Sequence, residues 1–210
     1  PRQVADLHRT LGHLSFQWND ITLPQITRDY VLLHGPYHLL MAGEVKKAAN
    51  VLTDYPICNM RMTLNRSEEW VEDVQLTHKA VQLGAIIEDL DQFRYWEAFA
   101  RERRHILARG DVEWPSNKIF LQLAVEHADD SPVTRAAEKW LTAGNCDWVW
   151  LRNPKRPENV VISPCIYILE GHAKRVRGCT VLDDGRFLSW AEDNTLRLWD
   201  GATGNALGVL

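Results

Sequence analysis

The chain has 210 residues, 45 % hydrophobic and 25 % charged, enough for one or two domains with their own cores and typical of soluble globular proteins. A formal net charge of −4 gives no whole-chain electrostatic attraction to nucleic acid or to an anionic membrane, and no apolar run is long enough to cross a bilayer. Cys58, Cys146, Cys165 and Cys179 lack paired spacing, which argues for free thiols and against a disulfide framework or a zinc ribbon. With no signal-like segment after Pro1, the expected location is cytoplasmic. Nine tryptophans, none regularly spaced beside basic residues, read as packing rather than as a ligand platform.

Between Thr27 and Ala42, the residues Tyr30, Leu33, Tyr37, Leu40 and Met41 recur at three- and four-residue steps and predict one helical stripe. Pro36 predicts a kink or a split into two helices, and Gly43 a C-terminal stop. A second helix follows from Glu44 to Thr53, with Val45, Ala48, Ala49 and Leu52 facing inward. Tyr55-Pro56 opens a third, which carries Ile57, Met60 and Leu64. From Glu68 the period resumes through Trp70, Val74 and His78. A longer helix, Ile87 to Arg109, presents Leu90, Phe93, Trp96, Phe99 and Ile106, and Gly110-Asp111 ends it. Trp114-Pro115-Ser116 starts the next, lined by Ile119, Leu123 and His127. Ser131-Pro132 opens the last, through Ala136, Ala137 and Trp140 to a cap at Gly144. Residues 1–150 therefore read as an all-α array of helical hairpins.

The stretch from Leu151 to Pro157 is basic and broken by prolines, so residues 151–165 read as a linker. After Val160 the period becomes strand-like. Ile166–Leu169, Val176–Leu182, Arg186–Trp190 and Thr195–Trp199 are expected strands, and Ala206–Leu210 begins a fifth. Asp183-Asp184-Gly185, Glu192-Asp193-Asn194 and Thr203-Gly204 are the turns between them.

Gly171-His172 near the start and Trp199-Asp200 near the end make residues 166–210 resemble one blade of a WD-repeat β-propeller. The resemblance implies that His172, Ser189, Asp193 and Trp199 form a buried hydrogen-bonded tetrad. Gly171, Asp184, Gly185 and Asp200 complete the repeat pattern. Trp190 departs from it, standing where a small residue often follows the tetrad serine, and is expected to alter inner-strand packing. The expected fold class is α+β multidomain: an all-α helical-hairpin array followed by one blade of an incomplete propeller. A lone blade cannot close a ring, which points to a larger assembly.

Other residue groups invite chemical readings. His172, Ser189 and Asp193 are the residue types of a nucleophilic triad, but they fall at tetrad positions and no Gly-x-Ser-x-Gly elbow occurs. His34 and His38 have helical metal-ligand spacing, yet Pro36 lies between them and no Glu follows the first. Glu126-His127-Ala128-Asp129-Asp130 reads as helix caps and solvated charge rather than a divalent-ion site. Phe99 to His105 is a mixed-charge helix face. No phosphate-binding glycine loop is present. Hence no catalytic, cofactor or metal residue is assigned, and no cofactor is expected.

The order of segments, with Tyr30 to Gly43 leading through a Pro-rich linker into a Gly-His/Trp-Asp blade, resembles the C-terminal arm of multidomain signal-transducing NTPases. The resemblance is to relatives of the apoptotic protease-activating factor that carry WD propellers. It implies a non-enzymatic regulatory segment: a helical spacer, and a propeller that senses a partner and restrains an NTPase module. It further implies that Ile166–Leu169 is the outer strand that closes the ring. Protein partners are expected at the propeller rim and helical arm, with Arg175, Asp183 and Glu192 as rim candidates. The alternative is a free-standing scaffold that self-associates through blade edges.

Overall fold

The computed structural model describes residues 2–162 and 167–210, and the chain divides into two compact units, Pro1–Ile162 and Ser163–Leu210. Among the described residues the first unit is all helical: α1 (Arg2–His13), a 3₁₀ turn (Leu14–Gln17), α2 (Gln25–Met41), α3 (Val45–Leu52), α4 (Tyr55–Thr63), α5 (Ser67–Gln82), α6 (Leu90–Leu107), α7 (Ser116–Val125) and α8 (Pro132–Thr142). The second is a four-stranded antiparallel sheet in the order β1 (Val176–Val181), β2 (Phe187–Ala191), β3 (Leu196–Trp199), β4 (Ala206–Val209). The architecture is therefore α+β. No described helix is long and apolar enough to cross a membrane.

Local chemistry sets the helix ends. The Asp54 carboxylate accepts the Ile57 N–H, and that of Asp89 accepts the Gln92 N–H. The Ser131 hydroxyl accepts from Val133 and Thr134, with Pro132 in the first turn, where its missing N–H costs nothing. At the end of α2, Gly43 takes φ +76°, which lets Glu44 N–H reach Leu39 O at 2.8 Å.

Two expectations for α2 are corrected. The helix is not split into two at Pro36, one α-helix spanning Gln25–Met41, and its buried residues are Val31, Leu32, Gly35, Pro36, His38 and Leu39. Tyr30, Tyr37 and Met41 are exposed instead. A proline inside a helix costs on the order of 3 kcal/mol. Here packing on both sides offsets that cost. Ser15 lies so close beneath Gly35 that a Cβ there would come within 2.3 Å of the serine Cβ.

The main core joins α3 to α8. Phe120 stacks on Tyr55 at 5.1 Å and meets Trp70 edge-on at 5.6 Å, and Trp70 meets Trp96 edge-on at 6.4 Å. Each such ring hides roughly 150–250 Å² and contributes on the order of 4–6 kcal/mol of transfer free energy. The buried Trp70 indole N–H donates to Leu52 O at 3.1 Å. A smaller cluster of Leu32, Leu39, Ala48, Val51 and Ile57 seats α2 and α3.

Residues 151–160, expected as linker, are strapped to α7 and α8 within the first unit. Gln122 bonds both the N–H and the carbonyl of Leu151. The Arg156 guanidinium, 6 % exposed, bonds Asp129, Glu138 and the carbonyl of Val125. Asp130 accepts the Val160 N–H at 2.9 Å. The acidic run Glu126 to Asp130 thus holds this strap.

In the second unit, Ile166 and Cys165 lie outside the described residues, and Tyr167–Leu169 form no strand, contrary to expectation. The Tyr167 hydroxyl instead donates to Ala202 O. Gly201 and Gly185 bring the β1–β2 and β3–β4 turns together at one end of the sheet; a Cβ on Gly201 would sit 1.9 Å from Gly185 O. By register, Val181, Phe187, Trp199 and Val209 share one face and Leu188, Trp190, Leu196 and Leu198 the other, so both faces are apolar.

Candidate functional site

At the opposite end of the sheet from those two glycines, one buried polar network joins the loop before β1 to β2, β3 and the turn between them. The Trp199 Nε1–H, a donor only, gives its hydrogen to Ser189 Oγ at 2.8 Å. Ser189 Oγ lies 2.8 Å from His172 Nε2, and His172 Nδ1 lies 3.0 Å from Asp193 Oδ2. Since the indole can only donate, one polarity satisfies every member. Serine donates to Nε2, and the Nδ1–H of the ring donates to the carboxylate. All four side chains are nearly sealed from solvent, Trp199 at 2 % and Ser189 at 7 %.

Strand geometry explains the meeting. Ser189 stands opposite Arg197, so Trp199, two residues on, is its diagonal neighbour on the same face. Asp193 ends the relay. The Thr195 hydroxyl above all, then the Ala173 N–H, His172 and the Thr195 N–H, hold its carboxyl well below the usual carboxylate range against the opposing push of burial. Thr195 and the Ala173 N–H are members that residue spacing alone did not single out. The Asp-x-Thr pattern of an Asx-type turn is the signal that marks Thr195; the Ala173 N–H comes from a distant loop.

The other residues of the expected repeat pattern have structural partners. Gly171 carries φ +151° and lies against the Arg197 guanidinium, where a Cβ would come within 2.4 Å of Nη1. Asp184 accepts the backbone and side-chain N–H groups of Arg186, and Gly185 turns the chain at φ +82°. Asp200 accepts the N–H groups of Ala202 and Thr203, which lowers its pKa. Trp190 covers Gly178 on the neighbouring strand, and a Cβ there would fall 2.5 Å from the indole; the large residue fits because its partner lacks a side chain.

The three rim candidates do not converge. Arg175 and Glu192 share one end of the sheet, where the Glu192 N–H donates to Arg175 O and the Glu192 carboxylate pairs with Arg177. Asp183 is in the β1–β2 turn at the other end. In the helical unit, both ring nitrogens of His38 are engaged, by His8 and by Tyr30. Among the described residues no group of three or more His, Cys, Asp or Glu converges as metal ligands would. A cavity of about 280 Å³ between α2 and α5 is lined by His34, Tyr37, Arg66, Glu69, Glu72 and Asp73, with Arg66 and Glu69 paired at 2.8 Å.

Compared with known proteins, the chain matches no protein-family model and shows no significant similarity to a curated protein.

Proposed function

We propose that the second unit is one blade of a WD-repeat propeller and that the chain is a non-enzymatic regulatory segment of a larger signal-transducing switch NTPase. The observation that carries this reading is the closed Trp199–Ser189–His172–Asp193 relay set in a Gly-His/Trp-Asp frame on a four-stranded antiparallel meander. A blade packs between neighbours, and this sheet has apolar side chains on both faces: Val181 (63 % exposed) and Val209 on one, Trp190 and Leu196 on the other. The helical unit serves as the spacer. The propeller binds a protein partner and holds the NTPase module in one of two interdomain arrangements, a bistable contact biased by differential binding. In this reading Ser189 is a structural hydroxyl, because Oγ accepts from the indole while facing the imidazole and is buried.

A second reading, a cytoplasmic scaffold that self-associates, is favoured by the two outer strands. β1 and β4 are the outer strands of the described sheet, and they carry the solvent-exposed Val176, Val181, Leu207 and Val209. The native gene product, detected in its source cells with an antibody to this segment, separates the two. A denatured mass far above 24.2 kDa supports the larger switch protein. A product of 24.2 kDa that associates through residues 167–210 supports the scaffold and overturns the first reading.

A further inference from the structure

We infer that the His8–His38 pair is a proton-sensitive latch that docks α1 on α2 at neutral pH and releases it on acidification. His8 Nδ1 and His38 Nδ1 lie 2.7 Å apart, with their rings 4.9 Å apart and tilted by 44°. His38 Nε2 lies 2.8 Å from the Tyr30 hydroxyl, and the His38 residue is 7 % exposed. A nitrogen-to-nitrogen hydrogen bond needs one donor and one lone pair, so the docked pair holds one proton between its two Nδ1 atoms. It accepts one extra proton: His38 as imidazolium then donates to His8 through Nδ1 and to Tyr30 through Nε2. A second extra proton makes both Nδ1 atoms donors and sets two positive rings against each other.

The groups facing the pair on α2 are Tyr30, His34 and Tyr37, whose ring meets His8 edge-on at 6.2 Å. Burial, then the His8 and His34 imidazoles, push the His38 pKa below the ordinary histidine range. A folded-state value that is lowered contributes stability above the free-imidazole range, and that stability is lost as pH falls.

A second polar cluster anchors α1. On the other side of α1, His13 Nε2 is 2.6 Å from Glu44 and 2.8 Å from Lys47 Nζ, and Arg9 bonds Asp6 and Glu44. The His13 side chain is 43 % exposed, so these ion pairs are screened by solvent. The approach of the two helices is close: a Cβ on Gly12 would come within 2.9 Å of the Leu39 nitrogen. The latch therefore acts on a tight seam.

The test is amide hydrogen exchange of the full chain at about pH 7.5 and about pH 5, corrected for intrinsic rates, with α6 as internal reference. Each proton that the docked state excludes costs up to about tenfold in docking per pH unit below the imidazole range. Wild-type α1 is expected to lose about tenfold or more in protection relative to α6 at the lower pH. His8→Gln, which keeps a hydrogen-bonding side chain but takes no proton, flattens that dependence. Protection of α1 that tracks α6 at both pH values overturns the latch, as does an unchanged dependence in His8→Gln. Should His8→Gln leave α1 undocked throughout, the wild-type ring resonances decide. Coupled two-step titration of His8 and His38 supports the latch, and two independent curves of ordinary shape overturn it.

Discussion

Trp199 and Ser189 are joined by a 2.8 Å hydrogen bond from the indole N–H to Oγ, across one diagonal step of the β2–β3 ladder. The same oxygen lies 2.8 Å from His172 Nε2, so one hydroxyl connects the strands of the sheet to the loop that precedes it.

Ser189→Ala is expected to melt the sheet and leave the helices intact. It strands the Trp199 N–H and the His172 Nε2, both buried, at about 1–3 kcal/mol each. The readout is the Trp199 indole N–H resonance and its exchange protection. A folded variant with a protected indole would sink the structural role assigned to this serine. A hydrolytic activity abolished in that folded variant would instead revive a nucleophilic reading.

Acid should unfold the second unit through Asp193. Its folded-state pKa is depressed, chiefly by the Thr195 hydroxyl, so its stabilising effect is present above the ordinary Asp value and is lost as pH falls through the folded one. Stability of the sheet is expected to be insensitive to this group above about pH 5 and to decline below about pH 4. Asp193→Asn starts lower at neutral pH and shows a shallower acid limb. An acid limb unchanged by the substitution contradicts the assignment.

Arg61 is fully buried on α4 and bonds Asp73 of α5 at 2.7 Å, with its Nε and Nη1 otherwise unpartnered. Asp73→Ala leaves that guanidinium uncompensated and is expected to cost about 3–5 kcal/mol in denaturant unfolding. The double replacement Arg61→Met with Asp73→Leu is expected to be near neutral or stabilising, because the desolvation of both charges disappears. A double variant as unstable as Asp73→Ala would show that the pair contributes more than it costs.

Arg156→Ala should free the strap of residues 151–160 from α7 and α8. The loss is on the order of 2 kcal/mol, since charge-assisted bonds to Asp129 and Glu138 disappear together. Trypsin cleavage at Arg152 and Lys155 is expected to accelerate while helical content is kept. Unchanged cleavage would mean that Gln122 and Asp130 hold the strap without the arginine.

The helix from Leu90 to Leu107 was legible, at 87–109, because its apolar period acts over a few residues, whereas the Asp89 cap that sets its start was not read. The inner face of α2 was misread because that helix is apolar almost all round; Tyr30, Leu33 and Tyr37 fit the period as well as Val31, Gly35 and His38 do, and only the neighbours choose. Helix α1 went unread, its seam on α2 being made by Gly12 and His8 rather than by a row of large apolar residues. The strap from Leu151 to Val160 has the composition of a linker, and nothing local marks Arg156 as a buried anchor.

The sequence by itself determined most of the helices after α2, the four strands of the sheet, the Ser131-Pro132 start and Gly43 stop, the Gly185 turn and the residues of the Trp-Ser-His-Asp relay, because each depends on backbone chemistry within a few positions or on a recurring frame. Only the tertiary structure decided that His8 meets His38, that Arg61 meets Asp73 and that Arg156 reaches Glu138. Those pairs are set by where packed helices cross and by which polar groups must find partners away from water, and no spacing along the chain carries that information.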